Sequence, residues 1–445
     1  MRYQKINREL FINNRFKFNQ KTSDNSLTVF NSNDQMPTNA DGTMPFKQNS
    51  DLFWMTGINQ EDTTLIIAKI NGEIFEKLYI KETNEHISIW EGEKLTKQRA
   101  KQISGIDSVH WNECFLKDFK NLCNQINSIY LNKNIHARSK NNVETRDDRF
   151  RKKIKSDFSN KEILEAAPIV NDLRRIKSNE EIKLLKIACN ITEEAFRRVL
   201  KFVKPGVMEY EIEAEIAHTF ISNCSKGFAY EPIIGSGFSS CILHYIENNK
   251  ICNDGDILLM DFGAEYANYC ADLSRTIPVN GKYTKRQKDV YNSVLHVFNC
   301  AKSMLVPGTL IEDYHKEVGK IMQNELIKLK LIDSHDVKKQ DAKNPIYKKY
   351  FMHGTSHFLG LDVHDVGNVK LPIENGMVFT CEPGIYIREE SLGVRIENDI
   401  LVSDSEPIDL MGDIPVEANH IEEIMNSYEN PNLERLAHGL GYRWI

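Results

Sequence analysis

Asp261 closes the apolar run Ile257-Leu-Leu-Met260, and Glu382 closes Val378-Phe-Thr-Cys381. A carboxylate at the end of a buried strand is costly unless a partner or a metal compensates it. Each of these acids has a second acid downstream. Asp272 stands in Cys270-Ala-Asp-Leu-Ser-Arg-Thr-Ile-Pro278, and Glu397 in Gly393-Val-Arg-Ile-Glu-Asn-Asp-Ile-Leu401. A hairpin between the first two brings both carboxylates to one face, and the second pair repeats the plan. Between the pairs lies His353-Gly-Thr-Ser-His357-Phe-Leu-Gly-Leu-Asp-Val-His364, with three histidines in one short run. Four carboxylates and an imidazole make a hard, oxygen-rich donor set. It suits manganese, and also cobalt, iron or zinc, better than copper. The acids outnumber the needs of one divalent ion, and two ions bridged by carboxylates account for the excess. Any one of these acids alone reads as a satisfied surface or core residue. The set in a repeated frame does not.

The elements that must position these residues repeat as well. Ser178-Asn-Glu-Glu181 is a capping box, and Ile182, Leu185, Ala188, Ala195 and Val199 follow at helical spacing. This helix is expected to stop at Lys204-Pro205-Gly206, before a second amphipathic helix containing Ile212, Ile216 and Phe220. Further on, a helix over Lys285 to Leu305 stops at Val306-Pro307-Gly308, and another follows. Asn253-Asp-Gly-Asp-Ile-Leu-Leu-Met-Asp261-Phe-Gly263 aligns with Glu374-Asn-Gly-Met-Val-Phe-Thr-Cys-Glu382-Pro-Gly384. Each has a glycine turn, an apolar strand, an acid, then a glycine two places on. Two similar αβ halves about a pseudo-two-fold axis are implied, with a site that draws ligands from both.

The 445 residues suggest two domains, and composition divides them near residue 165. Residues 1–165 mix short apolar runs (SLTVF, TTLIIAKI, SIYL) with polar turns and read as a non-catalytic α/β domain. Residues 166–445 hold the repeated halves. Asn141 to Asn160 is nearly all polar and is expected to be surface structure or a linker. The net charge of −6 gives no reason to expect nucleic acid, and no run reaches the length of a membrane span. A charged N-terminus without a hydrophobic core segment and nine scattered cysteines without a C-x-x-C pair point to the cytoplasm.

From about Asn171 to Asn426 the chain resembles the pita-bread metallopeptidases, the family of methionine aminopeptidase, prolidase and aminopeptidase P. Their ligand order is Asp, Asp, His, Glu, Glu. By motif this implies Asp261, Asp272, His357, Glu382 and Glu397 as metal ligands. The His353–Gly367 motif and Leu243-His-Tyr-Ile-Glu-Asn248 are similar to aminopeptidase P and prolidase. Phe46-Lys-Gln-Asn-Ser-Asp-Leu-Phe-Trp-Met-Thr-Gly57 and Leu173-Arg-Arg-Ile-Lys-Ser178 resemble aminopeptidase P. The expected fold is an N-terminal α/β domain followed by a pita-bread catalytic domain. The expected activity is release of the N-terminal residue from Xaa-Pro-Xaa peptides by attack of a metal-bridging hydroxide. Prolidase, which cuts only dipeptides, is the first alternative. A peptide-binding member without catalysis is the second, and the complete ligand set disfavours it. The resemblance implies that Glu382 also shuttles a proton, that His244 and His364 hydrogen-bond the substrate carbonyl, and that His353 lines the proline pocket. It matches Arg174 to a site arginine, and Arg395, two places from Glu397, to a role in orienting acids or a substrate carboxylate. Trp90 matches a tryptophan that reaches a neighbouring subunit's site, so a homodimer or homotetramer is expected. Tyr386 could hydrogen-bond the groups behind the ligands, but an aromatic two places after Gly384 reads more often as packing. The loop between Glu382 and Glu397 is short for the family, and Glu389 and Glu390 within it are expected to shape which peptide lengths fit.

Overall fold

The computed structural model describes residues 2–139, 143–341 and 343–427. They form two compact units. The first is Met1–Leu185 with Ala267–Tyr269 and Phe358–Val378; the second is Lys186–Tyr266, Cys270–His357 and Phe379–Ile445. The division near residue 165 drawn from composition falls within the first unit.

The first unit is built on a six-stranded sheet. Its strands run Ser108–Trp111, Glu73–Ile80, Thr64–Ile70, Ser26–Asn31, Ser128–Leu131 and Glu162–Glu165 across the sheet. Asn71 and Gly72 join two of them with φ of 54° and 83°, the left-handed pair a two-residue hairpin demands. Leu27, Val29, Ile66, Ala68, Ile129 and Leu131 from the strands pack on Phe119 and Ile154 from helices. Ile154 corrects the reading of Asn141–Asn160 as surface or linker. Arg146–Asp157 is a helix with a capping box between Thr145 and Asp148. It buries Ile154 in the core, holds Asp147 against Asn31 at 2.9 Å, and sets Arg151 on Glu165 at 2.6 Å. Its polar composition hid the docking because much of it is polar.

The Gln48–Gly57 motif also has a local explanation. Asn49 caps the helix Ser50–Thr56 by accepting the N–H groups of Asp51 and Leu52, and Gly57 ends it at φ 67°. This places Asp51 on Arg174, whose guanidinium also reaches Asp362 and Asp365.

The expected helices appear as two matching pairs. Asn179–Phe202 is followed by Glu209–Ser222, and Lys285–Ser303 by Ile311–Lys328. The first starts on the expected capping box, Ser178 Oγ donating to Glu181 at 2.7 Å. The breaks carry Gly206 at φ 95° and Gly308 at φ 90°. The strand Ile257–Phe262 lies antiparallel between Ile233–Ser236 and Leu273–Pro278. Its counterpart, Val378–Cys381, pairs with Asn398–Leu401. The matched turn glycines, Gly255 and Gly376, both have φ 85°. The glycines two places after the acids are needed for room. A Cβ on Gly263 would stand 1.7 Å from the Ala271 carbonyl oxygen, and one on Gly384 would stand 2.6 Å from the Tyr386 hydroxyl.

Candidate metal centre

Asp261 sits one residue from the end of its strand, opposite Ser274. Asp272 does not lie within a strand as the sequence suggested. It falls in the gap between Tyr269–Cys270 and Leu273–Pro278, and its N–H donates to Asp399 Oδ2 at 3.1 Å. Glu397 likewise falls between Leu392–Arg395 and Asn398–Leu401. One bridge joins the two halves there: Glu397 N–H donates to the Ser274 carbonyl at 3.0 Å, and Ser274 Oγ donates to Glu397 Oε2 at 2.7 Å. Both downstream acids thus stand at strand interruptions, where the Asp272 N–H is free to hold the Asp399 side chain and the Glu397 N–H bridges to the Ser274 carbonyl.

The carboxylates converge on His357. Its Nε2 is 3.4 Å from Asp272 Oδ2 and 3.8 Å from Glu382 Oε1. One donor atom each from Asp272, His357 and Glu397 lie within 4.8 Å of one another. Tyr230 OH lies 2.5 Å from both Asp261 Oδ1 and Asp272 Oδ1. Arg395 spans the other side, donating to Asp261 Oδ2 at 2.5 Å, Ser274 Oγ at 2.7 Å and Tyr386 OH at 2.9 Å.

Charge does not balance within this cluster. Four carboxylates face one guanidinium. Burial pushes the Glu382 carboxyl up to about 7. Burial first, and then Asp272 and Glu382, hold Glu397 well above the ordinary carboxylate range. Asp261 is raised too, by burial and in spite of Arg395. Hard donors in excess of the local positive charge are what divalent cations satisfy, so the residues present fit a metal centre.

This imbalance predicts a pH effect on stability. In metal-stripped protein the raised carboxyl of Glu382 stabilises the fold fully below its unfolded value, near 4.5, and the gain is lost as pH rises through about 7. The shift corresponds to about 3 kcal/mol for this group. The melting temperature of stripped protein should therefore fall between roughly pH 5 and pH 8, and manganese should raise it more at the upper end. An equal rise at every pH would remove the argument.

Around the acids runs a directed chain of hydrogen bonds. Arg395 donates to Tyr386 OH, Tyr386 OH and His353 Nε2 are 2.8 Å apart, and His353 Nδ1 is 2.8 Å from the Gly354 carbonyl oxygen. With Nδ1–H on that carbonyl, Nε2 accepts from Tyr386. Burial and the nearby Arg395 hold His353 down to about 3, so it is neutral. Its Nδ1 is 3.6 Å from Glu382 Oε2. His244 lies near enough to His353 to contribute to that shift. It is exposed, while its neighbour Tyr245 is buried and donates to Glu209 at 2.8 Å.

The other candidates belong to the first unit. Arg174 is 3% exposed and held by three carboxylates. His364 is exposed and accepts a hydrogen bond from Arg138. Trp90 is 76% exposed at the end of the helix Glu85–Trp90, its ring 6.0 Å from that of His86.

Two residues of the cluster, Tyr230 and Asp399, were not singled out from sequence, and a third, Tyr386, was read as packing. Tyr230 bridges the aspartates from a loop, with no periodic signal around it. Asp399, fully buried, receives the Asp272 N–H and the Cys189 thiol, and its carboxyl is pushed up by burial and by Asp272. Tyr386, read as packing, carries the link between Arg395 and His353. In the strand pair Gly384–Ile387 and Leu392–Arg395, Tyr386 faces Gly393 and Gly384 faces Arg395.

Two family models match the chain. The model of "Metallopeptidase family M24" matches residues 183–404, and that of "Aminopeptidase P, N-terminal domain" matches residues 11–130. A Haemophilus influenzae protein named Xaa-Pro aminopeptidase is 33% identical, over 95% of this chain and 98% of its own length. A solved Bacillus anthracis structure, described as a putative aminopeptidase P, superposes with TM-score 0.88 at 32% identity, covering 94% of this chain and 98% of that one. A variant of Escherichia coli aminopeptidase P, solved in complex with substrate, superposes with TM-score 0.85 at 31% identity, over 95% of this chain and 99% of that one.

Proposed function

The chain belongs to metallopeptidase family M24, and on that footing we propose that it is an Xaa-Pro aminopeptidase, releasing the N-terminal residue from peptides with proline in second place. The observation that carries this reading is the buried cluster of four carboxylates and His357, in a chain that matches a relative of that name along nearly its whole length. Asp261, Asp272, His357, Glu382 and Glu397 would hold two divalent ions, with manganese the first choice for so oxygen-rich a set. Such ions, when bound, acidify water and polarise the scissile carbonyl. Arg395 and Tyr230 hold the aspartates in place. Glu382, whose carboxyl is pushed to about 7, is poised to pass a proton to the leaving nitrogen. That step matters because an Xaa-Pro amide has a tertiary nitrogen without an N–H, and the ring fixes its φ. His353, kept neutral and aimed by Tyr386, lines the proline pocket, and His244 and His364 hydrogen-bond the substrate carbonyl.

Prolidase activity has less support, since the relatives that match over the full length carry the aminopeptidase name. A member without catalysis is disfavoured by the complete donor set. We place the protein in the cytoplasm, a reading supported by nine free cysteines and by the lack, among described residues, of a helix long and apolar enough to cross a membrane. Exposed Ile89 and Trp90 support a homodimer or homotetramer in which this edge meets a second chain. Rates on a peptide panel test the reading. Xaa-Pro-Xaa should be cleaved at least as well as Xaa-Pro, and Xaa-Ala-Xaa poorly. Trp90→Ala should change the preference for peptide length and leave metal content unchanged. A clear preference for dipeptides would move the assignment to prolidase.

A further inference from the structure

Glu209 opens the helix Glu209–Ser222, and it is fully buried. Among the described residues no lysine or arginine is paired with its carboxylate. Lys250 Nζ donates instead to Ser239 Oγ at 2.7 Å. A buried carboxylate without a cation depends on hydrogen bonds, and a helix N-terminus favours the negative charge. Glu209 accepts four. Oε1 takes the Ser236 N–H at 2.8 Å and the Ser236 hydroxyl at 2.7 Å; Oε2 takes the Tyr245 hydroxyl at 2.8 Å and the Lys250 N–H at 2.9 Å. One turn further along the same helix, Glu213 accepts from Asn248 Nδ2 at 2.9 Å, and Asn248 Oδ1 takes the Ile234 N–H at 3.0 Å. These donors lie within or beside one segment. Residues 242–250 form neither helix nor strand, and they carry His244. The His244 imidazole is exposed and makes no hydrogen bond of its own among the described residues. Its direction therefore depends on how the backbone beneath it is held, and Tyr245, the next residue, is held by Glu209.

We propose that Glu209 is a positioning residue for the reaction: it fixes the loop that carries His244 and so aims that imidazole at the substrate. The inference rests on the reading above, in which His244 hydrogen-bonds the substrate carbonyl. The carboxylate is needed for its two acceptor oxygens, and an amide of the same shape does not replace it. In Glu209→Gln either orientation of the side chain turns an NH2 group toward a backbone N–H, that of Ser236 or that of Lys250, and neither can accept. One end of the loop is then released. A displacement of about 1 Å at a group that must meet the transition state costs on the order of 10²-fold in rate.

The test is a pair of double-mutant cycles on manganese-loaded protein with one Xaa-Pro-Xaa peptide. Glu209→Gln and Tyr245→Phe are each made in the wild-type and in the His244→Ala background. In the wild-type background Glu209→Gln should lower kcat about 10- to 100-fold. KM should change by less than about 3-fold, and metal content should stay at the wild-type level. Tyr245→Phe removes one of the four bonds and should lower kcat by a smaller factor. In the His244→Ala background both losses should shrink to less than about 3-fold, because the group being aimed is gone. Equal losses in the two backgrounds, a fall in metal content, or no loss in the wild-type background would overturn the proposal. Should Glu209→Gln fail to fold, Tyr245→Phe decides by the same criterion, since it keeps its ring against Ile233 and Leu259. Amide hydrogen exchange reads the loop without any activity. Glu209→Gln should speed exchange at least about 10-fold over residues 242–250 and leave residues 353–357 unchanged. If wild type does not cleave the peptide, the proposed function fails by itself. Exchange then still decides Glu209, and an unchanged rate over residues 242–250 would overturn its role.

Discussion

Stripped of metal, the protein should lose peptide hydrolysis by at least about 10³-fold and regain it with manganese, because a bound divalent ion supplies several kcal/mol of transition-state stabilisation and each 1.4 kcal/mol is tenfold. The cluster explains why the loss should be so complete. Arg395 already bonds Asp261, Ser274 and Tyr386, and Tyr230 is committed to the two aspartates. The raised Glu382 carboxyl shares its site with three other acids. Elemental analysis of reloaded protein should find two ions per chain. Asp272→Asn and His357→Ala should each lower that count along with the rate. Full activity in stripped protein would end the metal account.

Replacement of His244 or His364 by alanine should lower kcat about 10²- to 10³-fold, the cost of losing one hydrogen bond that strengthens in the transition state. Metal content should stay at the wild-type level. Both histidines are exposed, and neither is among the donor atoms gathered around His357. The substitutions should therefore leave stability nearly unchanged. A parallel fall in metal content and rate would make them ligands and overturn their assigned roles. His353→Ala should behave differently. It removes the acceptor for the Tyr386 hydroxyl, leaving that buried group without its His353 partner.

Much of this site was legible because its residues announce themselves locally. A strand-end acid, a glycine two places on and a second acid downstream are read along the chain, and so are the capping boxes and Pro-Gly stops that frame each helix pair. The glycines turned out to be steric requirements: Gly263 and Gly384 stand where a Cβ would strike a carbonyl or a hydroxyl. What stayed hidden depends on pairing between distant segments. Tyr230 has meaning only once Asp261 and Asp272 are side by side. Asp399 looks like another polar residue of its strand until Asp272 N–H is found pointing at it. Tyr386 needed the register that sets Gly384 opposite Arg395. The helix Arg146–Asp157 failed for another reason. Phe150 and Ile154 are its principal apolar anchors, and two charged residues, Asp147 and Arg151, share its buried face through specific partners. Composition averages such partners away.

The most direct test of the account is the identity of the products when a defined Xaa-Pro-Xaa peptide is given to stripped and to manganese-reloaded protein. Mass spectrometry should find free Xaa and Pro-Xaa in equal amounts with the reloaded protein, and intact peptide with the stripped one. Xaa-Pro and free Xaa as products, or equal cleavage with and without metal, would contradict it.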